Sequence, residues 1–232
     1  MSDLVADMAA LIERLGPPPG QTGRVIQFVA QRSGDGVSSL ARAFALAASR
    51  RTAKGVWLVE LDPLVQHQIE VFSGDADTYG ALGAGVRASP DGSAYYRITP
   101  SGARSEDAFL IGHAVGARKL WVTRFRSELL AHGQSVQIDG RDLYWRAMRR
   151  HADWVVVDAP ALERSDSALK VARQMDLNIA VLNGERADLD ADKALVDALR
   201  RVGGTVAGAV MNRAPKTLVK GAGRHEADQR VL

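Results

Sequence analysis

The stretch AQRSGDGVSSLARAFA, residues 30 to 45, holds the residue types that grip a phosphate, at the spacing such a grip needs. Gly34 and Gly36 leave the backbone free to turn consecutive N–H groups toward an anion, with Asp35 between them. Ser38 stands where a hydroxyl would meet Mg²⁺. Ser39 follows at the start of a helical run, where free N–H groups and the helix dipole favour negative charge. The position that such a loop gives to lysine is held by Val37. A plain strand-to-helix turn would use the same letters, so this stretch alone leaves both readings open.

Three further groups share its logic. LVELDP, 58 to 63, ends an apolar run with Glu60 and Asp62 at alternate positions. The two carboxylates are expected to point apart so that one reaches a metal, the alternative being an aspartate that opens a turn before Pro63. VVVDAP puts Asp158 at the end of a valine run, where an acid can hold water on Mg²⁺. AVMNR closes the last apolar run with Asn212, whose amide can bond a base edge. Four such groups on one edge of one sheet favour a nucleotide site. Asp62 and Asp158 are then the catalytic candidates, and Ser38, Asp62 and Asp158 the metal candidates. Arg32, Gly34, Asp35, Gly36, Val37, Ser38, Ser39 and Asn212 are the nucleotide-binding candidates.

Other residues suggest less. The five histidines show no metal-binding spacing. Tyr95 and Tyr96, like Trp57 and Trp154, are most simply packed, and Asp188 or Asp190 is expected to cap a helix.

The elements that must position these residues are legible from periodicity. Leu4, Met8, Leu11, Ile12 and Leu15 mark an amphipathic helix stopped by Gly16 and three prolines, so residues 1 to 22 form an arm and linker. Buried strands are expected at 25–30, 56–61, 154–159, 177–183 and 205–212. Helices are expected after the glycine loop, at 140–151, 165–175 and 188–202. Alternating strands and helices with continuous apolar strands predict a doubly wound, mostly parallel α/β sheet over 23–215. Residues 73 to 117 carry little periodicity. With possible strands at 95–99 and 119–125, this region reads as an elaboration of the sheet, and 216–232 as a loose polar tail.

Composition bounds the function. The 232 residues suit one α/β domain, and 46% hydrophobic with 25% charged residues is ordinary for a globular chain. A net charge of +3, spread along the chain, gives no footprint for nucleic acid. The absence of cysteine removes disulfides and thiolate chemistry and fits a reducing cytoplasm. The N-terminus lacks the basic region and cleavage site of a signal peptide, and no stretch is apolar enough to span a bilayer.

Taken in order, VIQFVAQRSGDGVSSLARAFALA, VWLVELDP, WVVVDAPAL and NIAVLNGERADLDADKALVDALRRVGGTVAGAVMNR resemble the cytoplasmic domain of bacterial tyrosine kinases of capsular and exopolysaccharide systems. These belong to the wider class of P-loop ATPases that includes MinD and ParA. The resemblance covers most of residues 1 to 215, with 64–118 matching only in length. It implies a fold of P-loop NTPase type, with ATP or ADP and Mg²⁺ as ligands. The partner it implies is a membrane-bound polysaccharide co-polymerase that would hold a cytoplasmic protein at the inner membrane, and a homo-oligomer is compatible with it. It assigns Gly34, Gly36 and Ser38 to the Walker A loop, Asp62 to the second acidic motif, Asp158 to Walker B and Asn212 to adenine.

The departures are specific. Val37 replaces the Walker A lysine, Glu60 replaces an expected aspartate, no tyrosine follows Tyr144, and DMAALIERLG lacks the ring-forming arginine motif. Arg32 lies where MinD and ParA place a signature lysine and either supplies part of the missing charge or is a solvent-exposed loop residue. Losing a charge-assisted hydrogen bond weakens binding about tenfold to a hundredfold. A lost transition-state donor costs about a hundred- to a thousandfold in rate. The expectation is a catalytically degenerate regulator or scaffold of polysaccharide export. The alternatives are an active ATPase or kinase using Arg32 or a partner's residue, and a MinD-like positioning ATPase.

Overall fold

The computed structural model describes residues 2–18, 21–186 and 188–214; the expected tail at 216–232 lies outside the described residues. In chain order the elements begin with α1 (Ser2–Leu15), β1 (Arg24–Val29), α2 (Val37–Ser49), β2 (Val56–Glu60), α3 (His67–Gly74) and α4 (Ala76–Tyr79). Then come β3 (Val86–Arg87), β4 (Tyr96–Thr99), β5 (Leu110–Ala114), β6 (Leu120–Phe125) and β7 (Ser135–Ile138). The chain continues through α5 (Leu143–His151), β8 (Trp154–Asp158), α6 (Ser167–Val171), β9 (Leu177–Asn183), α7 (Leu189–Arg201) and β10 (Val206–Asn212).

Eight strands form one sheet in the order β10-β9-β1-β8-β2-β6-β5-β3. The strands from β10 to β6 run parallel, while β5 and β3 add an antiparallel edge. Side chains alternate across each strand, so Ile26 and Phe28 of β1 face one core while Val25 and Val29 face the other. The first core is roofed by α1, α2 and α3 through Met8, Leu40, Phe44 and Phe72. The second is roofed by α5, α6 and α7 through Trp145, Met148, Val171, Leu195 and Leu199. With both faces covered, the central strands must be apolar throughout, and Val155, Val156 and Val157 of β8 are fully buried.

One expectation about the middle of the chain needs correction. The 119–125 strand does join the sheet, as β6 beside β2, but the 95–99 strand does not. It pairs with β7 in a separate two-stranded ribbon. The ribbon exists because Tyr95 and Tyr96 are both buried, their rings perpendicular at 5.2 Å, and carry it onto Trp145 and Phe125 in the second core. Trp154 is buried as expected, whereas Trp57 is partly exposed and stacks on Trp121, 5.7 Å between centroids.

Candidate phosphate-binding site

β1 is central in the sheet, flanked by β9 and β8, so the loop leaving its C-terminal end opens at the crevice where connections diverge to either side. The loop enters α2 through Gly36, whose φ of 98° is a left-handed conformation that an L side chain adopts at a cost. Gly34 is also left-handed, at φ 83°. The first N–H groups of α2, on Val37, Ser38 and Ser39, have no acceptor among the described residues. Residues 32–39 line a hollow of about 290 Å³ together with His67, Ala159, Pro160, Ala161, Arg164 and Arg213. That is near the lower end of the roughly 300–1,000 Å³ typical of small-molecule sites.

Behind the loop lies a buried polar chain. Arg42 Nε donates to Gln68 Oε1 at 2.9 Å, and Gln68 Nε2 donates both to Asp158 Oδ2 at 2.6 Å and to the Ser38 carbonyl at 2.9 Å. Ser38 Oγ donates to Asp158 Oδ1 at 3.1 Å. Asp158 is 4% exposed, and burial pushes its carboxyl above the usual range against the bonds from Gln68 and Ser38. Glu60 is its register partner on the neighbouring strand. Burial first, and the nearby Asp158 second, push Glu60 up to about 8. Its two oxygens accept from the N–H groups of His67 and Gln68 at the start of α3.

Glu60 and Asp62 do make separate contacts, but not because they alternate: residues two apart in a strand share a face. They part because the strand ends at Glu60 and Asp62 lies in the following turn. There Asp62 Oδ1 accepts from the Leu64 N–H at 3.1 Å, as an aspartate opening a turn does.

The side chains of the remaining candidates are engaged by the protein itself. Val37 is 8% exposed and its side chain belongs to the first core. Asp35 Oδ1 accepts from Asn183 at 3.2 Å and Arg186 at 3.0 Å. The Asn212 amide donates to the Asp35 carbonyl at 2.9 Å and accepts from the Arg213 N–H, so the group expected on a base edge fastens the loop. Arg32 lines the hollow with its guanidinium on Asp188 at 2.5 Å. Asp188, as expected, also caps a helix, accepting from Ala191 at the start of α7.

Apart from Arg32, the cations around the hollow were not legible in the sequence. Arg164 pairs with Asp62 at 2.9 Å, Arg186 with Asp35 at 3.0 Å and Arg213 with Glu185 at 3.7 Å. Arg186 also lies beside Gly34. Topology alone assembles these residues from distant loops. Arg42 and Gln68 were missed too, although an arginine inside the apolar run LARAFALAA signals a buried charge in need of a partner.

Of the three expected metal ligands, Asp62 is the one already paired with a cation, so the protein alone offers Mg²⁺ no complete cage. No group of three or more acids, histidines or cysteines among the described residues could hold a metal ion. Asp158 accepts from Ser38 and Gln68, Ser38 Oγ keeps its lone pairs while donating to Asp158, and Asp62 is paired with Arg164.

No protein-family model and no curated protein matches the chain by sequence. Solved structures share its fold. The BceF tyrosine kinase domain aligns at TM-score 0.56 with 18% identity over 91% of this chain and 75% of that one. The kinase domain of the Escherichia coli tyrosine kinase ETK aligns at 0.55 with 15% identity, over 92% and 75%. The septum site-determining protein MinD of Pyrococcus horikoshii, complexed with Mg-ADP, aligns at 0.55 with 16% identity, over 86% and 76%. At such identities the likeness is one of fold: a large, mostly parallel α/β sheet of P-loop NTPase type.

Proposed function

We propose that this chain is a catalytically degenerate, tyrosine-kinase-like P-loop protein that binds a phosphorylated ligand at residues 34–39 with modest affinity. In this reading it regulates or scaffolds a membrane polysaccharide co-polymerase and export complex from the cytoplasmic side. The observation that carries it is Val37, which delivers an apolar side chain to the core at the position where phosphate chemistry needs a cation. Arg32, the cation that opens the loop, is already engaged by Asp188. Phosphoryl transfer depends on neutralising the charge of the moving group, so a loop arranged this way keeps the backbone of a binding site and lacks its main catalytic charge. Among the described residues no helix is long and apolar enough to cross a membrane, so attachment through a partner is part of the proposal.

Purified protein incubated with radiolabelled ATP and Mg²⁺ tests the reading. The expected result is neither phosphate on the protein nor phosphate release above background. Released phosphate would make the chain an ATPase, and labelled protein would make it a kinase. Expressed alone, the chain should stay in the soluble fraction; spontaneous binding to anionic vesicles would favour a MinD-like positioning role.

A further inference from the structure

We infer that Arg164 takes the place of the divalent cation at this site, so that the hollow holds a phosphate group without Mg²⁺. The inference rests on the phosphate-site reading above and concerns which residue neutralises the anion.

Arg164 lines the same hollow as the glycine loop. Its Nη2 donates to Asp62 Oδ2 at 2.9 Å, one of the two carboxylates that the sequence offers to a metal. A guanidinium on that oxygen supplies the positive charge that a metal would otherwise bring. Among the described residues Nη2 is the one atom of this guanidinium with a protein partner, which leaves other donors of the fork for an anion.

The segment carrying Arg164 is fixed to the phosphate loop. The Leu162 N–H donates to the Ala30 carbonyl at 3.0 Å and the Glu163 N–H to the Gln31 carbonyl at 3.1 Å. In return the Ser33 N–H donates to Glu163 Oε1 at 2.6 Å. Three bonds hold this segment at a set position relative to residues 34–39, so the backbone carrying Arg164 needs little ordering when an anion arrives. The second carboxylate expected on a metal, Asp158, is buried and accepts from Ser38 and Gln68.

The two arrangements predict opposite signs for one substitution. If Asp62 served a metal, Asp62→Asn would weaken binding; if it restrains Arg164, Asp62→Asn releases the guanidinium and strengthens binding. Calorimetric titration of pyrophosphate and of ADP, each in EDTA and in excess Mg²⁺, reads this directly.

The expected results are wild-type affinities within about twofold between the two conditions, and Arg164→Gln weaker by about tenfold or more in EDTA. Arg164→Lys should be intermediate, because it keeps the charge and loses the fork. Asp62→Asn should be several-fold tighter. Arg164 is half exposed, so these variants should fold, and melting curves would check it. Binding that needs Mg²⁺, is lost in Asp62→Asn and is untouched by Arg164→Gln would overturn the inference while leaving the phosphate site standing. No binding of either probe to wild type or to Asp62→Asn under either condition would overturn the phosphate site itself, and this inference with it.

Discussion

Glu60 and Asp158 stand side by side on adjacent parallel strands, and each carboxyl is pushed upward by burial. For Glu60 the folded value is about 8 against an unfolded value of 4.5, so the folded state binds the extra proton between those limits. Stability is therefore complete below the unfolded value and is lost as pH rises toward 8, with a ceiling of about 1.4 kcal/mol per pH unit. Glu60→Gln removes the ionisation and keeps an acceptor for α3. Its melting temperature relative to wild type should rise steadily from pH 5 to pH 8, and a difference flat with pH would mean that Glu60 ionises as it does in the unfolded chain. Val37 makes a second test at this scale. Val37→Lys would trade a buried valine for a cation at the start of α2, at a stability cost of about 1–3 kcal/mol. If the lysine reaches the hollow, the loop gains the charge it lacks and ADP affinity should rise about tenfold or more. Unchanged affinity would show that the hollow has changed beyond this one residue.

At the scale of elements, the join between the glycine loop and α2 depends on the last strand. A Cβ at Gly36 would meet the Asn212 Nδ2 at 2.0 Å, in a backbone conformation with φ of 98°. Gly36→Ala should therefore cost about 1–2 kcal/mol for the dihedral alone and more for the collision. Chemical denaturation of the single and double variants separates the two, because Asn212→Ala removes the collision and leaves the dihedral. An equal cost of Gly36→Ala in both backgrounds would mean that Asn212 does not press on the loop. The same join shows what the sequence could reveal. β9 spans the expected residues 177–183, and β1 and β8 differ by a residue at their ends, because strands buried on both faces read as unbroken apolar runs. Gly34, Gly36 and Ser38 were legible because loop backbone and helix start demand those types locally. Gln68 and Arg164 were not, since α3 and the 160–164 loop carry no periodic signal and reach the site only through the fold. The ribbon of β4 and β7 was hidden for a related reason: its pairing joins segments almost forty residues apart.

On the scale of the whole molecule, the cores decide whether the chain can be its own substrate. The sequence has four tyrosines, at 79, 95, 96 and 144, and all of them are buried. Tyr79 packs edge-on to Phe72 in the first core. Tyr95, Tyr96 and Tyr144 pack together in the second, on the far side of the sheet from α2. Their hydroxyls are unsuited to attack: burial raises the pKa of Tyr95, Tyr96 and Tyr144, and the Tyr95 hydroxyl donates a hydrogen bond to the Glu60 carbonyl at 2.9 Å. Transfer to any of them would require the donor phosphate to enter a packed interior or the core to open first, and opening costs a large part of a domain's stability. Two independent obstacles, the absent lysine and the inaccessible acceptors, thus lead to one expected outcome: no phosphotyrosine on protein incubated with Mg-ATP, by immunoblot or mass spectrometry. Restoring the charge alone should not change this, whereas Val37→Lys combined with an appended tyrosine-rich tail should give label confined to the tail. Phosphotyrosine on the wild-type chain, abolished by Asp158→Ala, would show that the fold retains the chemistry that its loop and its buried tyrosines deny it.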